Sequence, residues 1–441
     1  MMVYTVYVDV RYTYRLRPGR QALAYLFRES GMCRYVWNAL VAQTRDLHLD
    51  NQIGAANGAR PDQLPTFGYS AQDKFLTQLR ATTCDQTTGE RWLAAGSSVA
   101  QQQTVRDFDK SRRKALLDRK NHIPATRRSG LPRFKSRHTD SVSMNYTRNG
   151  FSLTTISALS AGVVRLRLPG KITIPVVWSR DLPSDPKSAR VYQDTIGHWY
   201  VSFVVDIDAT ADHLTPVEHA RAIGIDWGVT ETATTAVIDL ATGVVNNDTT
   251  YDLPHAQHGK TAAHKLARYQ RMMARRATRR GQPTTNGYNH ARHLAAKIHK
   301  KIARQRQDDA RKWAKRVTLD HHNIAVEDFR PKFLAKSTMA RKAADAAIGA
   351  TKTELIWMAT KHGRNLQLIN PAHTTTTCSK CDARNKHRLP LGQRIYVCET
   401  CGHTQPRDKN SAAVMVARAG FDPADADGTR PEPAAAREPA A

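Results

Sequence analysis

Acidic side chains are scarce in this chain: 39 Asp and Glu stand against 67 Lys and Arg, a formal charge of +28 over 441 residues. A compact globule must tolerate that excess as self-repulsion, and a polyanionic partner relieves it. DNA or RNA is the usual one, because each phosphate contacted by Lys or Arg releases condensed counterions. Ribosomal proteins share the balance, so charge alone names no activity. Long apolar runs are also missing: none reaches the roughly 18 residues needed to cross a bilayer. The opening MMVYTVYVDVRYTYRLR alternates apolar and polar side chains and carries charges, which reads as a strand and not as a secretory signal. The expected location is the cytoplasm. There, six cysteines do not make a disulfide framework, and a chain of this length builds two or three domains without one.

Four of those cysteines form two CxxC pairs: Cys378 and Cys381, then sixteen residues, then Cys398 and Cys401. That interval is the one expected of a four-cysteine zinc ribbon, each turn presenting two thiolates to complete a tetrahedron. With four sulfur ligands no position stays open for substrate, so the Zn2+ is structural. His373, His387 and His403 lie close by and are read as surface histidines. Cys33 and Cys84 stand apart and are read as buried small hydrophobes.

Along the chain, apolar spacing after Pro18 predicts two short helices separated near Gly31, and a Gln-rich helical region follows to about residue 120. From Phe151 to Val205 short alternating runs (VVRLRL, KITIPVVW, HWYVSFVVD) predict a small β barrel. The N-terminal strand is expected to pair with them, making the helical region an insertion. Residues 222–245 read as strand, turn, strand with a turn at Thr242-Gly243. Two helices follow, over KLARYQRMMARRATRR and over residues 294–318, with heavily basic outer faces that as an ensemble line a nucleic-acid channel. Past Gly420 the Pro- and Ala-rich tail is expected to be disordered.

Three carboxylates occupy distinctive places. Asp226 ends an apolar strand in GIDWG, Glu327 ends another in NIAVEDF, and Asp408 stands where PRDKNSAAVMVARAG turns into a helix. Each alone has an ordinary explanation: a strand-end carboxylate meeting a Lys, or a helix cap. Together they supply the hard oxygen ligands that two-metal phosphodiester hydrolysis needs, with Mg2+ ions roughly 4 Å apart. Spacing leaves Asp328 open as an alternative to Glu327.

The order GIDWG, VEDF, CxxC…CxxC, RDKNSAA resembles the RuvC-like nuclease of TnpB proteins from insertion sequences and of their relatives, the miniature type V CRISPR effectors. YRLRPGRQ with CRYVWNALV, LPRFKSR, HWYVSFVVD, KIARQRQDDARKWA and NPAHTTTTCSKC extend the likeness over almost the whole chain. The resemblance implies an α+β multidomain protein. A wedge-like β barrel (1–20 and 126–215) would hold an inserted helical recognition domain (21–125). An RNase H-like nuclease (216–372 and 405–420) would carry the zinc ribbon (373–404), with a disordered tail (421–441).

It also implies an RNA-guided DNA endonuclease. Asp226, Glu327 and Asp408 would be the catalytic, Mg2+-binding acids, with a guide RNA from the neighbouring locus and double-stranded DNA as partners in a prokaryotic, nucleoid-associated setting. Two positions depart from the family pattern: Pro406 precedes Arg407-Asp408 where Asp is common, and Thr377 stands where Ser usually precedes the first CxxC. A guided DNA binder that does not cut and a transposase that joins DNA ends are the rival expectations.

Overall fold

The computed structural model describes residues 7–421 apart from 61–62, 138–140, 157–162, 209–219, 280–281, 330–336, 388 and 391. The tail after Phe421 lies outside the described residues. Two compact units divide the described residues, one within 9–207 and the other within 208–421.

The first unit opens with β1 (Tyr7–Leu16), followed by α1 (Arg20–Ala56), α2 (Tyr69–Thr82) and α3 (Ser98–Lys120). It continues with β2 (Ser143–Thr147), β3 (Ser152–Ile156), β4 (Val163–Leu168), β5 (Ile172–Val177), β6 (Ser188–Gln193) and β7 (Trp199–Asp208). The strands form one sheet in the order β2-β6-β7-β1-β5-β4-β3, so the N-terminal strand sits at its centre. Among the described residues β2 and β3, the two ends of this order, do not pair, and the sheet is a half-barrel where the sequence pattern predicts a barrel. A 3-10 turn at Arg148–Gly150 carries the chain from one edge strand to the other in place of a hairpin.

The three helices share a core of Val36, Leu40, Leu76, Leu93, Val105 and Phe108. One helix of 37 residues replaces the two expected near Gly31. A helical Gly costs about 1 kcal/mol relative to Ala, less than burying the Met32, Val36 and Leu40 side chains that continue the same stripe. Cys33 is buried as expected, but Cys84 is exposed. It precedes a surface turn in which Asp85 accepts the N–H groups of Thr87 and Thr88, a local bond that favours solvent over core.

The second unit contains β8 (Arg221–Trp227), β9 (Glu231–Asp239), β10 (Val245–Asn246), β11 (Leu253–Pro254), α4 (His258–Arg275) and α5 (Asn286–Asp320). Then come β12 (Asn323–Glu327), α6 (Ala340–Ala346), α7 (Ile348–Lys361), β13 (Asn365–Ile369), the hairpin β14 (Ile395–Val397) and β15 (Thr404–Pro406), and α8 (Arg407–Ala419). Its sheet runs β10-β9-β8-β12-β13 with β11 beside β9. β8 is antiparallel to β9 and parallel to β12, which is parallel to β13. Ile223, Ile225, Trp227, Ile324 and Val326 bury one face against Trp313, Val317, Ile348 and Leu355. Ala222 and Ala325 turn the other way, toward Met415 and Val416 of α8. Among the described residues no helix is long and apolar enough to cross a membrane.

Candidate active site and metal centre

Strand periodicity assembles the site. Side chains of a strand alternate between faces, and β8 alternates large with small: Ile223, Ile225 and Trp227 on one side, Ala222, Gly224 and Asp226 on the other. The small residues admit α8 at close range. A Cβ placed on Gly224 would lie 1.8 Å from the carbonyl oxygen of Ala412, so only glycine leaves room for the helix there. β12 runs parallel in a register that pairs Val326 with Ile225, which brings Glu327 beside Asp226 at the ends of both strands. α8 crosses the same face with Asp408 in its first turn. Asp226, Glu327 and Asp408 therefore converge, although helices and loops separate them in the chain.

Their electrostatics record the crowding. Burial, then the charges of Glu327 and Asp408, hold the Asp226 carboxyl well above the usual carboxylate range, and Arg407 pulls weakly the other way. Burial pushes Glu327 up to about 7, against the Trp227 amide and the Lys352 ammonium. The interaction between the two carboxyls acts in opposite directions, raising Asp226 and lowering Glu327. Glu327 is fixed further by Trp227, whose backbone N–H donates to Oε2 at 3.2 Å and whose ring Nε1 donates to the Glu327 carbonyl at 3.1 Å. Asp328 is engaged elsewhere: its side chain accepts from Lys352 and its N–H donates to Ile369 O. Three hard oxygen donors meet on this face, Asp226 and Glu327 both raised by burial and Asp226 also by the charges of Glu327 and Asp408, and such donors suit divalent cations, whose charge would offset both effects.

The cysteines form a second centre. The sulfurs of Cys378, Cys381, Cys398 and Cys401 all lie within 4.8 Å of one another. Cys378 Sγ is 3.7 Å from Cys401 Sγ, and Cys381 Sγ is 3.6 Å from Cys398 Sγ. A tetrahedron with Zn–S near 2.3 Å places its sulfurs about 3.8 Å apart, so the set fits zinc. At Cys398 burial works against ionisation, but the amides of Cys401 and Thr400 outweigh it and lower the thiol to about 6, where a thiolate ligand is readily available. His373 and His387 are exposed and His403 is half-buried.

Several residues at these centres carry no distinct motif in the sequence. Asn410, fully buried, accepts from the Ser379 amide at 3.0 Å and donates to Thr377 O at 2.7 Å, tying α8 to the first CxxC turn. Lys409, also buried, donates from Nζ to Thr235 O and Asp248 O, each at 2.7 Å, and pairs with Asp252 at 2.9 Å. Arg407 Nε donates to Asp408 Oδ1 at 3.1 Å. The one available signal is the run RDKN at the head of an apolar helix, where polar residues at successive positions cannot all face solvent.

Known proteins resemble this chain in sequence and in fold. The family model described as "Probable transposase" (OrfB_IS605) matches residues 202–338, and "Cas12f1-like, TNB domain" matches 349–415. A Streptomyces pristinaespiralis protein named "Putative RNA-guided DNA endonuclease" is 27% identical over 428 residues, covering 96% of this chain and 92% of that one. The Escherichia coli "Putative RNA-guided DNA endonuclease InsQ" is 24% identical over 423 residues, with 92% and 91% covered. Among solved structures, a Cas12f1–sgRNA–target DNA complex determined by cryo-EM matches with a TM-score of 0.53 at 15% identity, over 90% of this chain and 83% of that one. The fold is thus the mixed α/β fold of the Cas12f-type proteins. Within that class, the chain is similar in sequence to the insertion-sequence proteins of the TnpB type, through the two matched segments and the two relatives that align over nearly its full length.

Proposed function

We propose that this protein is an RNA-guided DNA endonuclease that hydrolyses phosphodiesters at guide-complementary sites beside a short flanking motif. The observation that carries the reading is the convergence of Asp226, Glu327 and Asp408 on one face of the β8–β12 sheet under α8. Asp226 and Glu327, fixed at strand ends, and Asp408, fixed by the helix start, are the catalytic acids and would hold Mg2+. When bound, the metal supplies a lowered water pKa and stabilises the leaving oxygen. Trp227 orients Glu327 through two hydrogen bonds, and Lys352 occupies Asp328 so that Glu327 is the acid presented.

In this reading the sheet of the first unit is the wedge, with α1–α3 inserted as a recognition domain. The second unit is the RuvC-like, RNase H-type nuclease, and residues 373–404 are its zinc ribbon. The four cysteines hold one structural Zn2+ that braces the segment delivering Asp408, the link through Asn410 supporting that role. Base pairing with the guide selects the target, and the basic surface grips backbones. The excess of positive charge suits a protein holding RNA and DNA together.

The test is to purify the protein with RNA transcribed beside its gene and challenge a plasmid library with randomised flanks. Cleavage that disappears in Asp226→Ala supports the reading. Stable target binding with no cut in Mg2+ would favour a guided binder, and joined DNA ends would favour a transposase; either overturns it.

A further inference from the structure

Among the described residues two arginines pair with Asp408: Arg394, just before the first strand of the ribbon hairpin, and Arg407, which opens α8 just after the second. β14 and β15 pair Ile395 with Pro406, and the next residues out, Arg394 and Arg407, stand opposite each other with Arg407 N donating to Arg394 O at 2.8 Å. Arg407 Nε reaches Asp408 Oδ1 at 3.1 Å, and Arg394 Nη1 lies 3.7 Å from Oδ2. Each oxygen of the acid thus faces a guanidinium. The two arginines differ in how firmly they are held. Arg407 has a side chain only 12% exposed, and its Nη1 also donates to Gln393 O at 3.1 Å and Pro390 O at 3.4 Å. The Arg394 side chain is 58% exposed, and Asp408 is its carboxylate partner among the described residues.

A divalent cation and a guanidinium compete for the same carboxylate oxygen, because each is positive and each needs its lone pairs. A guanidinium, in turn, binds phosphate with the same forked geometry it uses for carboxylate. The Arg394 pair is exposed and long, so it is easily broken.

We infer that Arg394 is a substrate-contacting residue that changes partners, sitting on Asp408 in the nucleic-acid-free protein and on a phosphodiester oxygen of the bound DNA strand. Its departure opens Oδ2 of Asp408 to metal, while Arg407 keeps the carboxylate oriented. Substrate and metal then bind cooperatively, each favouring the state the other needs. The inference rests on the nuclease reading above.

Mn2+ titration of the full-length protein without nucleic acid, followed by the EPR signal of free Mn2+, tests it. The difference between wild type and Asp408→Ala isolates binding at the three acids. Arg394→Gln is expected to tighten that binding roughly two- to fivefold, while Arg394→Lys, which keeps the charge, stays near wild type. In the guide-loaded complex, Arg394→Gln is expected to raise KM for target DNA. Equal Mn2+ affinity in wild type and Arg394→Gln overturns the exchange even if the site binds metal. Equal binding by wild type and Asp408→Ala overturns the nuclease site, and the exchange with it.

Discussion

The carboxyl of Glu327, raised by burial to about 7, and that of Asp226, raised further above its usual range, make the metal-free site a source of instability. A carboxyl whose folded pKa exceeds its unfolded value binds more protons folded than unfolded, so stability is lost as pH rises between the two. For Glu327 that window runs from about 4.5 to about 7. The melting temperature of metal-free protein should fall across this window, and millimolar Mg2+ should restore it most at the upper end. Asp226→Asn removes one of the repelling charges and keeps a hydrogen-bonding partner for Glu327. It is expected to melt higher than wild type at pH 8 without Mg2+ while losing cleavage. Thermal unfolding with and without Mg2+ checks both, and a metal-free melting temperature that is flat from pH 4.5 to 7 contradicts them.

At the scale of elements, α8 carries the site. It is held against the sheet by close packing at Gly224, by Lys409 on β9 and Asp252, and by Asn410 on the ribbon. Breaking a buried ion pair from one side leaves the partner charge uncompensated, at about 3–5 kcal/mol. Lys409→Met should therefore destabilise the fold by about that much and reduce cleavage, and adding Asp252→Asn should recover much of the stability. A double-mutant cycle in urea measures the coupling, and additive effects would remove Lys409 from this role. The ribbon enters through the same helix. Cys398→Ser is expected to lose zinc and cleavage together, read as zinc per chain and turnover; full cleavage with zinc lost would refute the bracing role.

For the whole molecule, the excess of positive charge is not spread evenly. Residues 253–307, which include α4 and most of α5, contain 14 Lys and Arg and no Asp or Glu. α4 buries no residue fully and packs its apolar side on α5, leaving Arg268, Arg271 and Arg275 exposed. Those three positions follow helical spacing and share a face. Replacing all three with Gln should weaken nucleic-acid binding evenly across sequences. It should also reduce the slope of log K against log salt by as much as about three, near 0.9 for each phosphate no longer neutralised. Filter binding between low and moderate salt measures it, and an unchanged slope would take this helix out of the interface.

Part of this architecture is written locally and part is not. The alternation of large and small residues in AIGID, the CxxC spacing, the alanine-rich helix after Asp408 and the surplus of Lys and Arg are legible in the sequence, because each follows from a period or a count along the chain. The same local reading divides α1 at Gly31, since a propensity cannot weigh the stripe of apolar side chains that α1 buries on its neighbours. It leaves Glu327 and Asp328 undecided, since a strand pattern gives two faces without saying which one α8 covers. The run RDKN says that some of its polar residues are buried without saying that Lys409 is one of them, and only the folded sheet supplies Thr235, Asp248 and Asp252 around its ammonium. The sequence determined which residues sit on strands, turns and helix starts, because those preferences act over a few residues. Only the tertiary structure decided that three acids meet and that arginines pair with the third, because strand register and helix packing join residues far apart in the chain.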